Sequence, residues 1–233
     1  MPVLYLIPNL LSDNSFAGVL PPGVVEIMHG IRRFIVEDVR TARRFLSKSG
    51  HPGPIDELLF YELNEHTPET EIPSLLPCLQ AGDTGVISEA GVPGVADPGA
   101  AVVRLAHANG IKVVPLVGPS SILMALMASG LNGQSFAFNG YLPVKQNERT
   151  ARIRALERRS ANERQTQIFI ETPYRNMQLL DDILMSCRSE TMLTIAADIT
   201  GAGEFIVTRP VCEWKGRLPK LHKVPAVFLL QAR

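Results

Sequence analysis

The chain has 233 residues, of which 45% are hydrophobic, and its 23 Lys and Arg side chains balance 23 Asp and Glu. This apolar content excludes a globally disordered chain, and a net charge of zero neither supports nor excludes a nucleic-acid partner. Three distant cysteines and five scattered histidines match no zinc spacing and no disulfide framework. The N-terminus lacks the basic segment of a signal peptide, and no apolar run reaches the length of a membrane span. We therefore expect a cytoplasmic protein without a metal site or a membrane partner.

The first half of the chain alternates short apolar runs with amphipathic segments, which is the pattern of an α/β fold. The apolar runs predict strands at 3–7, 33–37, 58–63, 85–88 and 112–116. Helices are expected at 38–50, 70–80 and 97–110. The segment 85–116 is thus a strand–loop–helix–strand unit with parallel strands.

The second half begins with an apolar helix at 118–130, whose Met124 and Met127 we expect in the core. Further helices are predicted at 148–164 and 173–187. Strands are predicted at 135–140, 167–172, 192–198, 204–208 and 226–231. The short connection between 192–198 and 204–208 implies antiparallel pairing, so the second sheet should be mixed. We expect two α/β domains, 1–117 with a mostly parallel sheet and 118–233 with a mixed one.

The densest cluster of turn-forming residues is GVISEAGVPGVADPGAA (85–101), which follows a predicted strand and precedes a predicted helix. Ligands of open α/β sheets bind beyond the carboxyl ends of the strands, and glycine lets a ligand approach the backbone closely. Glu89 and Asp97 flank the loop and can accept hydrogen bonds from a ribose or an ammonium group. The loop matches neither GxGxxG nor GxxxxGK[ST], and the alternative that Asp97 only caps a helix stays open.

Basic side chains are concentrated in the segments 30–50 and 145–164, whereas 56–71 is acidic. Lys and Arg contacts to phosphates position RNA on a protein without reading its sequence. The candidates for such contacts are Arg40, Arg43, Lys145, Arg149 and Arg152. Ordinary solvated helix faces are the alternative interpretation.

Five segments occur in a characteristic order: EDVR (37–40), SEAGVPGVADPG (88–99), VVPLVGPSS (113–121), GYLPVKQNER (140–149) and IFIETPYR (168–175). Together they resemble the tetrapyrrole methylase family, the class III S-adenosylmethionine-dependent methyltransferases. Within it they are most similar to the branch of 16S ribosomal RNA cytidine 2′-O-methyltransferases. The resemblance implies S-adenosylmethionine in a cleft between two α/β domains, RNA or the small ribosomal subunit as substrate, and a homodimer.

By position, the resemblance assigns cofactor binding to the end of the first strand, the glycine-rich loop, the turn near 119 and a strand end in the second half. These residues are Pro8, Ser88, Glu89, Ala90, Gly91, Val92, Pro93, Ala96, Asp97, Pro119, Ser120, Ser121, Glu171 and Thr172. Methyl transfer from a sulfonium chiefly needs positioning of nucleophile and methyl group, and no metal. A sugar hydroxyl also needs an acceptor for its proton, and the candidates are Glu89, Asp97 and Glu37.

The sequence departs from the family pattern in four places. The first strand runs into IPNLLSDNS without the usual glycine, and SDAGTP reads SEAGVP. The ARELTKxxE segment reads AADITGAGEF (196–205), and the chain stops at Arg233, where the ribosomal enzymes continue. Two alternatives therefore stay open: a methyltransferase of a small molecule such as a tetrapyrrole, and a homologue that binds the cofactor without catalysis.

Overall fold

The computed structural model describes residues 1–13 and 16–232, which form two compact units, Met1–Ser120 and a second that begins at Ser121. No helix in these ranges is long and apolar enough to cross a membrane. The first unit contains strands β1 Val3–Ile7, β2 Arg33–Val36, β3 Leu59–Glu62, β4 Thr84–Ile87 and β5 Lys112–Pro115. Its helices are α1 Phe16–Val19, α2 Pro22–Gly30, α3 Val39–Lys48, α4 Leu76–Ala81 and α5 Gly99–Ala108.

The five strands of the first unit form one sheet in the order β3-β2-β4-β1-β5. Every pairing in it is parallel, including those of β4 and β5 with β1 on its two sides. The expected α/β architecture with a parallel first sheet is therefore confirmed. Strands β4 and β2 are the most enclosed, because each is covered on both faces by connecting helices.

The connections of β1 and β4 leave the sheet on opposite faces. Apolar residues of α2 and α3, such as Met28 and Phe45, pack with Ile7 on one face. Residues of α4 and α5, such as Leu79 and Val102, pack with Leu4 on the other. Because β1 leads towards β2 and β4 leads towards β5, the chain diverges at the carboxyl ends of these neighbouring strands. Such a divergence is where open α/β sheets place their ligands.

The second unit contains helices α6 Ser121–Ser129, α7 Gln146–Glu163 and α8 Asn176–Ser186. Its strands are β6 Phe136–Tyr141, β7 Thr166–Ile170, β8 Met192–Ala197, β9 Phe205–Pro210 and β10 Ala226–Gln231. The sheet order is β6-β7-β10-β8-β9, with β6–β7 parallel and the other pairs antiparallel, so the expected mixed sheet is confirmed. Its core includes the stacked rings of Phe169 and Phe228.

Three local expectations differ from the structure. The helix expected at 70–80 begins as a 3-10 helix, Glu69–Leu75, because Pro73 lacks a backbone N–H, and becomes α-helical only at Leu76. Met127 is 82% exposed, so its placement in the core was wrong. Helices α1 and α2 were not anticipated, since the segment that holds them has no strong apolar period.

Candidate functional site

Asn9 joins the segment after β1 to the segment after β4. Its backbone N–H donates to the Gly91 carbonyl at 2.8 Å, and its Nδ2 donates to the carbonyls of Ser88 and Glu89, each at 2.9 Å. Its Oδ1 accepts from the N–H of Leu10 at 2.7 Å. The side chain is 6% exposed, so these bonds are shielded from water. A buried asparagine thus holds two loops together at the point where the sheet diverges.

The glycine-rich loop is shaped by backbone conformations that favour glycine. Gly91 and Gly94 have φ angles of +72° and +83°. A Cβ at Gly91 would lie 3.4 Å from the Pro119 carbonyl oxygen, and a Cβ at Gly118 would overlap the Pro8 ring. The loops that follow β1, β4 and β5 therefore converge at one edge of the sheet.

Asp97 orders the second half of this loop. Its Oδ1 accepts from the N–H groups of Gly94 at 2.7 Å and Gly99 at 2.8 Å. Its Oδ2 is buried and has no hydrogen-bond partner among the described residues. Burial raises the pKa of the Asp97 carboxyl, while the two backbone bonds oppose that shift. Asp97 thus orders the loop through Oδ1, whereas the buried Oδ2 would need a donor from a bound group.

Glu37 stands directly after β2 and reaches towards the same loop. Its Oε1 accepts from the N–H of Glu89 at 3.0 Å. Burial raises the pKa of Glu37, and the negative charges of Asp97 and Glu89 raise it further. The three candidate carboxylates are therefore brought together at the carboxyl edge of the parallel sheet, where their combined charge favours a cationic ligand.

The other predicted residues of this edge differ in exposure. Ser88 and Pro119 are buried, and the Ser88 hydroxyl donates to the Ala90 carbonyl at 3.3 Å. The remaining buried or half-buried residues are Pro8, Gly91, Val92, Pro93 and Ser120, and Ser121, the first residue of the second unit, is half-buried too. The exposed ones are Glu89, Ala90 and Ala96. These loops thus contain buried proline and serine residues, and they expose small side chains and the Glu89 carboxylate to solvent.

In the second unit, Glu171 follows β7 and is 4% exposed. Its Oε1 accepts from the N–H of Thr172 at 2.7 Å and from Nη2 of Arg175 at 2.6 Å. Its Oε2 is buried and unpaired within the described part of the chain. A charged oxygen held in this way is costly unless a bound group supplies a donor. Glu171 and Thr172 therefore form a second place suited to a polar ligand.

A cavity of about 290 Å³ and one of about 520 Å³ were not anticipated from the sequence. The larger one belongs to the second unit and is lined in part by Ala197, Asp198, Phe205, Val224 and Pro225. It is built on the same 196–205 segment that departs from the family pattern. Val224 and Pro225 on its other wall are distant in the sequence from Ala197 and Phe205, so no local pattern could have revealed this cavity.

One RNA candidate must be corrected. Arg149 is 1% exposed, and its Nε donates to Asp182 Oδ2 at 2.6 Å while Nη1 donates to the Val144 carbonyl at 2.6 Å. Because the guanidinium is enclosed by these partners, it has no surface to offer a phosphate. Arg149 is instead a structural link between α7 and α8.

The other four RNA candidates are exposed. Arg43 pairs with Asp56 at 3.0 Å, and Lys145 pairs with Glu148 at 3.4 Å. Exposed ion pairs of this kind are weak, so these cations can exchange partners with a phosphate. Arg152 donates from Nη2 to Asn139 Oδ1 at 3.3 Å. These side chains remain compatible with phosphate contacts.

Comparisons with known proteins agree with the geometry. The family model described as Tetrapyrrole (Corrin/Porphyrin) Methylases matches residues 29–213. Ribosomal RNA small subunit methyltransferase I of Pasteurella multocida is 33% identical over 201 residues, which cover 84% of this chain and 68% of the relative. The protein of the same name from Vibrio cholerae is 30% identical over 213 residues, covering 91% and 70%.

Among solved structures, uroporphyrin III C-methyl transferase of Thermus thermophilus matches with a TM-score of 0.58 and 17% identity. The match covers 98% of this chain and 97% of that one. At this identity, the likeness concerns the fold alone.

Proposed function

The chain belongs to the tetrapyrrole (corrin/porphyrin) methylases, a family of S-adenosylmethionine-dependent methyltransferases, and we propose that it methylates RNA of the small ribosomal subunit. The acceptor we propose is the 2′-hydroxyl of a cytidine, as the sequence motifs imply. The main support for an RNA substrate is the identity of 30% or more with two ribosomal RNA methyltransferases across most of the chain. The exposed basic residues of α3 and α7 support it.

The described residues fit S-adenosylmethionine. The buried, unpaired Oδ2 of Asp97 needs a donor, and a ribose hydroxyl or the ammonium group of the cofactor supplies one. Gly91 and Gly94 leave room for close approach to the backbone, and the carboxylates Glu37 and Glu89 favour a cationic sulfonium nearby. We propose the predicted residues of the first unit as cofactor contacts, as the sequence motifs imply.

When bound, the cofactor supplies an electrophilic methyl group on a sulfonium. The remaining requirement is to orient a hydroxyl and to accept its proton. Asp97 already has Oδ1 engaged by two N–H groups, and Glu37 has Oε1 engaged by one. Glu89 is exposed at the same edge, so we propose it as the group that accepts the proton, with Asp97 and Glu37 as binding groups.

Methyl transfer to isolated subunits tests this function. Small subunits purified from a bacterial strain that lacks its own cytidine 2′-O-methylation should accept labelled methyl groups, and large subunits should not. Asp97→Asn should reduce the transfer, whereas Asn109→Ala, a change of an exposed asparagine at the C-terminal end of α5, should leave it unchanged. Absence of label with the wild-type protein, despite measured cofactor binding, would refute the RNA substrate.

We further propose that the protein acts in the cytoplasm, as its scattered cysteines predict, and as a homodimer, as the motifs imply. Sedimentation equilibrium of the purified chain of 25.5 kDa tests the dimer, and a monomer mass at working concentration would contradict it.

A further inference from the structure

A cavity of about 290 Å³ lies beside the glycine-rich loop in the first unit. Its walls come from the segment after β1, from α1, from α3 and from the first residues of the loop. The walls include Leu11, Asp13, Phe16, Arg44, Phe45, Lys48 and Glu89. The cavity therefore adjoins the edge where the three carboxylates meet, and Glu89 and Ala90, two of the predicted cofactor residues, form part of its wall.

The cavity combines three kinds of surface. Phe16 and Phe45 have ring centroids 4.9 Å apart, and with Leu11 they form an apolar, partly aromatic wall. Arg44 and Lys48 contribute cations from the same face of α3, because they are four residues apart on one helix. Glu89 contributes a carboxylate from the loop after β4. These surfaces suit the three parts of a nucleotide. The aromatic wall can stack on the base, the cations can bind the phosphate, and the carboxylate can accept a hydrogen bond from a sugar hydroxyl.

We propose that this cavity binds the acceptor nucleotide of the RNA substrate, with the base against Phe16 and Leu11 and the phosphate on Arg44 and Lys48. The site rests on the proposed RNA substrate and adds the place where the strand is held. The volume lies at the lower limit of ligand pockets, roughly 300–1,000 Å³. It is suited to a single nucleotide and is small for the four linked rings of a tetrapyrrole.

Two residues of the cavity wall form an exposed ion pair. Lys48 Nζ lies 2.6 Å from Asp13 Oδ1, and their side chains are 62% and 90% exposed. The Lys48 bond lowers the pKa of the Asp13 carboxyl. Because exposed pairs contribute little, a phosphate can replace Asp13 as the partner of Lys48 at small cost. Arg44, at the same wall, offers the planar fork that binds phosphate oxygens bidentately.

Oligonucleotide binding to charge variants tests the site. Fluorescence anisotropy measures the affinity of a labelled single-stranded RNA of about ten nucleotides containing cytidine, with S-adenosylhomocysteine present. Arg44→Glu should weaken RNA binding about tenfold, and Arg44→Ala should reduce the slope of log affinity against log salt by about 0.7. Arg104→Glu is the matched control, since Arg104 is exposed on α5, on the opposite face of the sheet. Calorimetry of each variant with S-adenosylmethionine should give unchanged affinity.

The outcomes separate this site from the proposed function. If Arg44→Glu binds RNA as tightly as Arg104→Glu, the cavity is not the nucleotide site, whatever the methylation assay shows. If wild-type protein binds RNA through Arg44 but labels no small subunit, the nucleotide site stands and the proposed acceptor fails. If the wild-type protein binds no RNA, or if uroporphyrin binds in its place and Arg44→Glu abolishes that binding, the nucleotide site is overturned.

Discussion

The change Asn9→Ala tests how the two loops at the diverging strands are held. It removes the Nδ2 donor to the carbonyls of Ser88 and Glu89. A neutral hydrogen bond contributes about 1 kcal/mol, and a buried carbonyl left without a donor costs about 1–3 kcal/mol. Since Ser88 is buried, we expect a loss of about 2 kcal/mol in the free energy of unfolding. For a chain of this size that lowers the melting temperature by roughly 4–8 °C.

Circular dichroism melts and calorimetry measure the two consequences. Asn109→Ala is the matched control, because the exposed Asn109 side chain donates to the nearby Leu105 carbonyl at 2.8 Å. Its loss should cost less than about 0.5 kcal/mol. Asn9→Ala should also weaken S-adenosylmethionine binding, since Glu89 and Gly91 lose their anchor. If Asn9→Ala melts within about 1 °C of Asn109→Ala, the hydrogen bonds of Asn9 do not stabilise this edge.

Buried groups give three further predictions. Burial raises the pKa of Asp97, so its stabilising contribution is present at low pH and is lost as pH rises through that pKa. The stability of Asp97→Asn relative to wild type should therefore increase as pH rises from about 4 to 7. The same variant should bind S-adenosylmethionine about tenfold more weakly, and equal affinity would exclude Asp97 as a contact. Arg149→Met should lower the free energy of unfolding, measured in urea, by about 3–5 kcal/mol, because it leaves the buried Asp182 without its partner. Adding Asp182→Leu to the same chain should restore most of that stability. Burial raises the pKa of Cys187 to about 12. At pH 8, Ellman's reagent should therefore label the exposed Cys212 rapidly and Cys187 slowly, and equal labelling rates would contradict the burial of Cys187.

The strands were predictable because their signal is local. An apolar run bounded by turn residues predicted β1 and β10 with their observed bounds, and the other strands within two residues. The parallel pairing followed from the helices between strands, and the antiparallel pairing of β8 and β9 from their short connection. Asp38, expected near the start of α3, accepts from the Thr41 N–H at 2.6 Å and caps the helix.

The failures concern distant contacts. Arg149 has the sequence neighbours of a surface arginine, and only Asp182, on the next helix, explains why it is buried. Met127 belongs to an apolar helix whose period does not distinguish a covered face from an exposed one. The bonds of Asn9 to residues near 88, and the cavity beside Phe16, exist only once the sheet has formed. No single segment carries that information.

The position of β1 in the sheet has a consequence for biosynthesis. This strand is made well before its partners β4 and β5, which begin at Thr84 and Lys112. A growing chain therefore leaves one edge of β1 unpaired until β4 has been translated, and long-range pairing of this kind slows folding. Ribosome-bound chains that end before Thr84 should be digested readily near β1, and protection there should arise only when β4 has emerged.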